Sequence, residues 1–299
     1  MGTIQGSGLI PSFPEWAAIR LEHKEALHPA LQMTADGVSE FTFSNLYLFR
    51  KRYNYQLSSL GGDNVIISGE REGKKFFSTP FACPPREVLD ELFSTHSYWK
   101  NISESVLEGN AESLSAQGIE LAEDRDNFDY LYFREDLAKL SGKKYHKKRN
   151  LVNAFMLAYP EHGSKPLTRE LVGEAQAVLE IWRIDKHDEG DYIAASEALD
   201  LFEQLNMEGA IFYVKGRPAG WCLGEGVARG TSFALHFEKG VDAFKGIYQF
   251  INQRYAESLS ESYTYINREQ DLGDEGLRQS KETYRPCGFV KKWTGKKQG

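Results

Sequence analysis

The chain has 299 residues, 41% of them hydrophobic and 26% charged, and a net charge of −7. Such a composition belongs to soluble globular proteins and is long enough to bury roughly 75% of the unfolded surface in one or two domains. The negative balance repels nucleic acid and anionic lipid on average, so any such partner has to meet a local basic patch.

The longest apolar run, Ala210 to Val214, is about five residues, against the roughly 20 needed to cross a bilayer. No membrane span is expected. The opening "MGTIQGSGLI" lacks the basic start and apolar stretch of a signal peptide, and Gly6 stands where myristoylation requires Ser or Thr. The expected compartment is the cytoplasm. Cys83, Cys222 and Cys287 are too scattered for a disulfide framework or a zinc site, and no metal is expected.

In chain order, "YQLSSLGGDNVIISGEREGKKFFSTPF" reads as three strands broken by Gly61-Gly62-Asp63 and by Glu70-Arg71-Glu72-Gly73. A helix-rich stretch follows from about Arg86 to Gln117. "DYLYFREDLAKLSGKKYHKKRNLVNAFMLAY" is then a strand leading into a long helix. The breaker-rich "YPEHGSKP" near residue 160 reads as a linker, which sets the expected domains at 1–160 and 161–299. Beyond it, Leu167, Leu171, Ala175, Val178 and Trp182 recur at helical spacing, and "SEALDLFEQL" is a second helix. A hairpin around Lys215-Gly216-Arg217-Pro218, a strand at "TSFALHFEK", a helix at "FKGIYQFINQRYAESL" and a strand at "SYTYIN" come next. "EGLRQSKETY" is a short helix and "GFVKKW" a last strand. Tyr132 to Leu137 and Tyr265 to Leu272 echo each other, as a duplicated α/β unit would.

From Lys139 to Arg149, six of the eleven residues are Lys or Arg. The apolar face of that helix carries Leu151, Val152, Phe155 and Met156, and stepping back along it reaches Lys144, Tyr145, Lys148 and Arg149. Cations on a core-facing stripe need partners or a bound anion. Lys144, Lys148 and Arg149 are therefore expected to be more buried than Lys143 and Lys147 and to line a phosphate- or carboxylate-binding cleft, with paired structural charges as the competing reading.

The order of elements in the second half is similar to that of the GNAT acyltransferase fold, and Tyr284-Arg285-Pro286-Cys287-Gly288-Phe289 looks like its YxxxGF ending. Together with Asp271-Leu272-Gly273, Gly276-Leu277-Arg278 and Lys281, the chain resembles the C-terminal domain of bacterial phosphatidylglycerol lysyltransferases. Phe43-Ser44-Asn45-Leu46 with Arg50, Asp129-Tyr130 with Tyr132, and "LSGKKYHKKRN" extend the resemblance over the first half. It implies an α/β (α+β) protein of two tandem GNAT-like domains, each a mixed, mostly antiparallel sheet flanked by helices, and kinship with Fem-type aminoacyltransferases. The membrane-embedded half of the lysyltransferases is not in this sequence, which puts a lipid acceptor in doubt. In place of the usual pyrophosphate loop stands "EKGVDAFKGIY", where Gly240, Lys245 and Gly246 would have to hold a coenzyme A phosphate.

The resemblance implies an acyl- or aminoacyltransferase that uses acyl-coenzyme A or aminoacyl-tRNA as donor and a small-molecule or peptide acceptor. In such a fold Tyr284 would protonate the leaving group and Glu238 would act as base beside strands that splay apart near Phe233 and Tyr265. Asn267, Arg268, Asp271, Arg278 and Lys281 would line the substrate cleft, with Leu277, Lys281 and Tyr284 on one helix face. The alternative is an internal ion network holding that segment and, for the whole protein, a non-catalytic module that binds an anionic small molecule or peptide.

Overall fold

The computed structural model describes residues 8–184 and 190–298; His187-Asp188-Glu189, which as a sequence reads as an exposed turn, lies outside them. The strands, in chain order, are β1 (Ala17–Ala18), β2 (Gln56–Gly61), β3 (Asn64–Arg71), β4 (Lys74–Ser78), β5 (Tyr98–Ile102), β6 (Ile119–Glu123) and β7 (Asp129–Phe133). The second half adds β8 (His162–Pro166), β9 (Glu208–Val214), β10 (Arg217–Val227), β11 (Ser232–Gly240), β12 (Tyr265–Asn267), β13 (Gly288–Val290) and β14 (Trp293–Lys297). The helices are α1 (Lys24–Gln32), α2 (Phe43–Leu48), α3 (Arg86–Thr95), α4 (Glu104–Leu107), α5 (Ala111–Ala116) and α6 (Arg134–Lys139). After these come α7 (His146–Ala158), α8 (Val172–Ile184), α9 (Tyr192–Leu201), α10 (Ile247–Ser258) and α11 (Glu275–Glu282).

Two 7-stranded sheets result, ordered β1-β2-β3-β4-β5-β14-β6 and β13-β7-β12-β11-β10-β9-β8. Each has an antiparallel meander followed by one parallel pair, β4 with β5 and β11 with β12. The two orders are the same pattern with one strand exchanged: β14 enters the first sheet beside β5, and β7 enters the second beside β12. The sheets therefore do not divide the chain at residue 160. The echoed fragments are not the repeat either, because β7 and β12 are antiparallel neighbours, Tyr265 opposite Phe133, whereas the equivalent strands are β5 with β12 and β7 with β14.

A buried knot marks where the exchanged strands start. Asp129, the first residue of β7, accepts bonds from the Ser39 amide (2.9 Å), the Ser39 hydroxyl (3.0 Å), Asn267 Nδ2 (3.1 Å) and the Lys292 ammonium (2.6 Å). Lys292, next to β14, also bonds Glu40, and both Asp129 and Lys292 are fully buried. The expected last strand "GFVKKW" is split here, since Lys291 and Lys292 separate β13 in one sheet from β14 in the other. Burial of charge explains the break: Lys292 has to turn toward its two carboxylates, which a continuous strand would not allow.

Between the sheets lies a shared core. Leu27 and Leu31 of α1, Phe43 and Leu46 of α2, Val178 and Leu179 of α8 and Ala195, Ala198 and Leu199 of α9 meet Ile67 and Phe76 of one sheet and Trp221 and Phe237 of the other. A second core packs α6, α7 and α10 on the far face of the second sheet through Leu137, Phe155, Phe250 and Tyr255. The third holds Leu89, Leu92 and Trp99 beyond the first sheet.

Three expectations change in detail. β8 occupies the expected linker, pairing His162 to Pro166 with β9. β5 interrupts the helix-rich stretch. The long basic helix is two, α6 and α7, because Leu140 (φ 46°) and Gly142 (φ 81°) are left-handed and end α6.

Candidate active site

β11 and β12 pair in parallel only over Ser232–Ala234 and Tyr265–Asn267, after which β11 runs on to Gly240 and β12 stops. The expected neighbours at Phe233 and Tyr265 thus part at one end and leave a wedge. On its other edge β11 bulges against β10: Leu223 faces Phe237 and Gly224 faces Leu235, so His236 stands opposite no residue. Side chains, not backbone, bridge the wedge.

Glu238 from β11 meets Arg268 from the loop after β12 at 3.4 Å, and Asn252 Nδ2 on α10 donates to both Glu238 oxygens at 2.9 and 2.7 Å. Burial raises the Glu238 pKa, opposed by Arg268 and Asn252. His236 lies between Glu269 (2.7 Å) and Glu225 (3.1 Å). Burial alone would lower its pKa, but the two carboxylates outweigh it and raise it to about 10, so this imidazole is charged at neutral pH.

Tyr284 follows α11 and closes the wedge. Its ring lies under two cations, Lys148 Nζ at 3.9 Å and the Arg268 guanidinium at 5.2 Å from the centroid. The phenol is 3% exposed and its hydroxyl has no hydrogen-bond partner among the described residues. Burial raises its pKa, so the group holds its proton. Lys148 is pulled down to about 8 by burial and by Arg268.

A cleft of about 710 Å³ opens beside Lys148, between the start of α7 and the end of α11. Lys143, Lys144, His146, Lys147, Lys148 and Arg285 line it, and Glu282 is its one acid. The first turn of α7 has no acidic residue, and its N-cap makes no side-chain bond. Lysines crowded beside the positive end of a helix repel one another, and of the four here Lys144 is offset by Asp136 at 2.9 Å.

Of the residues singled out in the sequence, Glu238, Arg268, Lys148 and Tyr284 come together. Others have partners within the fold. Asp271, fully buried, accepts from Tyr130 (2.6 Å), from Arg278 through two nitrogens (both 2.9 Å) and from the Gly273 amide (2.9 Å). Arg278 also reaches Asp126 at 2.7 Å. Asn267 bonds the Gly37 carbonyl and Asp129, both at 3.1 Å. Lys144 is exposed and paired with Asp136 at 2.9 Å; it precedes α7 in a separate turn, so the face arithmetic does not reach it. Arg149 is half-buried and donates to the carbonyls of Leu140 and Gly142. Gly240 gives room to Ile247, 3.0 Å from where a Cβ would stand, Gly246 turns into α10 at φ +95°, and Lys245 is exposed.

Lys281 holds the loop itself. Its ammonium donates to the carbonyls of Arg268 (2.6 Å), Glu269 (3.0 Å) and Gln270 (2.6 Å), three donors for three acceptors, while Glu269 sits at φ 56°. Lys281→Ala should therefore cost about 1–3 kcal/mol in chemical denaturation, since three carbonyls lose their donor in a half-buried site. A loss under about 0.5 kcal/mol would return Lys281 to the exposed, ligand-facing role expected from sequence. Asn252 was missed, although a polar residue between Ile251 and Tyr255 on a buried helix face was its signal.

Residues 32–295 match the family described as "Phosphatidylglycerol lysyltransferase, C-terminal". The chain belongs to that family. A conserved protein of unknown function from Bacteroides thetaiotaomicron superposes with a TM-score of 0.84 at 28% identity, covering 95% of this chain and 99% of that one. The C-terminal domain ascribed to a lysylphosphatidylglycerol synthetase of Agrobacterium fabrum gives 0.61 at 15% identity, over 94% of this chain and 93% of that one. An uncharacterised protein of Mycoplasmoides gallisepticum is 22% identical over 170 residues, 55% of this chain; the chain spans about half, 54%, of that relative's length. For this member of the lysyltransferase C-terminal family the fold is α/β, two mixed sheets flanked by helices. Among the described residues no helix is long and apolar enough to cross a membrane, and no His, Cys, Asp and Glu cluster is set to hold a metal.

Proposed function

We propose that the protein transfers an activated acyl or aminoacyl group to an amine or hydroxyl acceptor at the wedge between β11 and β12. The observation that carries this reading is the unpartnered, buried hydroxyl of Tyr284 beside Glu238, Arg268 and Lys148. Glu238 takes the acceptor's proton as the nucleophile attacks the carbonyl, and Arg268 and Lys148 offset the negative charge that develops. The main chain freed at the His236 bulge is the candidate oxyanion donor. Tyr284 gives its proton to the leaving oxygen or sulfur. Family membership supports an aminoacyl donor, and the basic cleft suits a phosphate-bearing one.

The test offers acetyl-coenzyme A and lysyl-tRNA to the protein with a panel of amine and hydroxyl acceptors. Consumption of either donor, abolished in Glu238→Gln, supports the reading. If tRNA is the donor, the double variant Lys143→Ala/Lys147→Ala should flatten the slope of log affinity against log salt by roughly 1.4–1.8, two phosphate contacts' worth. Binding of an anionic ligand with no donor ever consumed would favour the non-catalytic module instead.

A further inference from the structure

Lys148 differs from the other cations around the wedge. Lys144 has Asp136, Arg149 two carbonyls, Lys281 three carbonyls and Arg268 the Glu238 carboxylate. The Lys148 ammonium has no carboxylate and no hydrogen-bond acceptor among the described residues; it meets the face of Tyr284 at 3.9 Å and is repelled by Arg268. It is half-buried yet lines the open cleft, so a reagent can reach it.

We propose that Lys148 is a site of self-acylation, its amine attacking the carbonyl of an activated ester or thioester that occupies the cleft. The N–C bond forms and the C–S or C–O bond breaks. The leaving thiolate or alkoxide takes the proton shed by the amine, and a stable amide remains. The position of the carbonyl rests on the transferase reading above, but the reactivity of the amine does not.

Burial and a neighbouring guanidinium are the two circumstances that activate a lysine as nucleophile. With its pKa pulled down to about 8, roughly one Lys148 in four is neutral at about pH 7.5, against about one in a thousand for an ordinary lysine. Acylation also removes the charge that Arg268 repels. The modified protein loses the unpaired cation at the junction of cleft and wedge, so acylation would switch anion binding there down.

The experiment treats the full chain at about pH 7.5 with S-acetyl-N-acetylcysteamine, a thioester with no phosphate and no nucleotide, and reads each lysine by peptide mass spectrometry at low conversion. Lys148 should be acetylated at least about tenfold faster than Lys143 and Lys147, which lie on the same cleft, and the difference should vanish in denaturing urea. Labelling of Lys148 at or below the rate of those two in the folded protein overturns the proposal. Selective labelling upholds it even if the protein never transfers an acyl group to an external acceptor, which separates its fate from that of the transferase reading.

Discussion

Tyr284→Phe should lower the transfer rate by about 10²–10⁴-fold, the range over which a positioned general acid acts, and leave the folded protein at least as stable. The second half of this expectation follows from the unpartnered hydroxyl: deleting a buried group that makes no bond removes a desolvation cost of about 1–3 kcal/mol instead of a contact. The ring stays under Lys148 and Arg268, so binding of the donor should change little and kcat should carry the loss. Full activity in this variant would remove Tyr284 from the chemistry. A pH profile completes the assignment. Burial raises Glu238, and a base works only when ionised, so kcat/KM should rise with pH through an elevated carboxyl pKa. That limb should disappear in Glu238→Gln.

Lys292→Met should destabilise the protein by about 3–5 kcal/mol, because it leaves Asp129 and Glu40 as buried carboxylates deprived of their main cation. Lys100, 3.7 Å from Glu40, and Lys281, which attracts Asp129 from further off, are left to compensate in part. Urea unfolding followed by tryptophan fluorescence reads this directly, and a change below about 1 kcal/mol would mean the triad does not tie the sheets together. The pH dependence has a sign that can be worked out. Burial opposes ionisation of Glu40, but Lys292 and Lys100 outweigh it and lower its pKa; its contribution is present above the unfolded value and is lost as pH falls through the folded one. Lys292 is raised by Asp129 and Glu40 against its own burial, so its contribution is lost as pH rises through the folded value. The wild type should therefore be most stable between the two, and Lys292→Met should flatten both limbs.

The periodicity of apolar residues determined much of this protein by itself. The hairpin at Lys215-Gly216, the helix ending near Ser258, the strand at Tyr265 and the three strands between Gln56 and Ser78 lie where residue spacing and turn residues place them. These are local features, set by which side chains alternate between core and solvent within one element. The meeting of Glu238 with Arg268 and Tyr284 was legible in part, since the strand ends and the YxxxGF segment could be placed before their contacts were known.

What only the tertiary structure decided is how charges are matched across long separations. Nothing local distinguishes Lys281, which holds three carbonyls, from Lys148, which has no acceptor among the described residues, because each is a lysine on a helix with polar neighbours. Asp271, Arg278 and Tyr130 form a bonded set only because Tyr130 on β7 is delivered to the second sheet from 141 residues away. The same holds for the strand exchange. The Asp129–Lys292–Glu40 triad at its start joins residues 163 and 252 positions apart, and the energy of burying a charge depends on the partner that the whole fold brings to it.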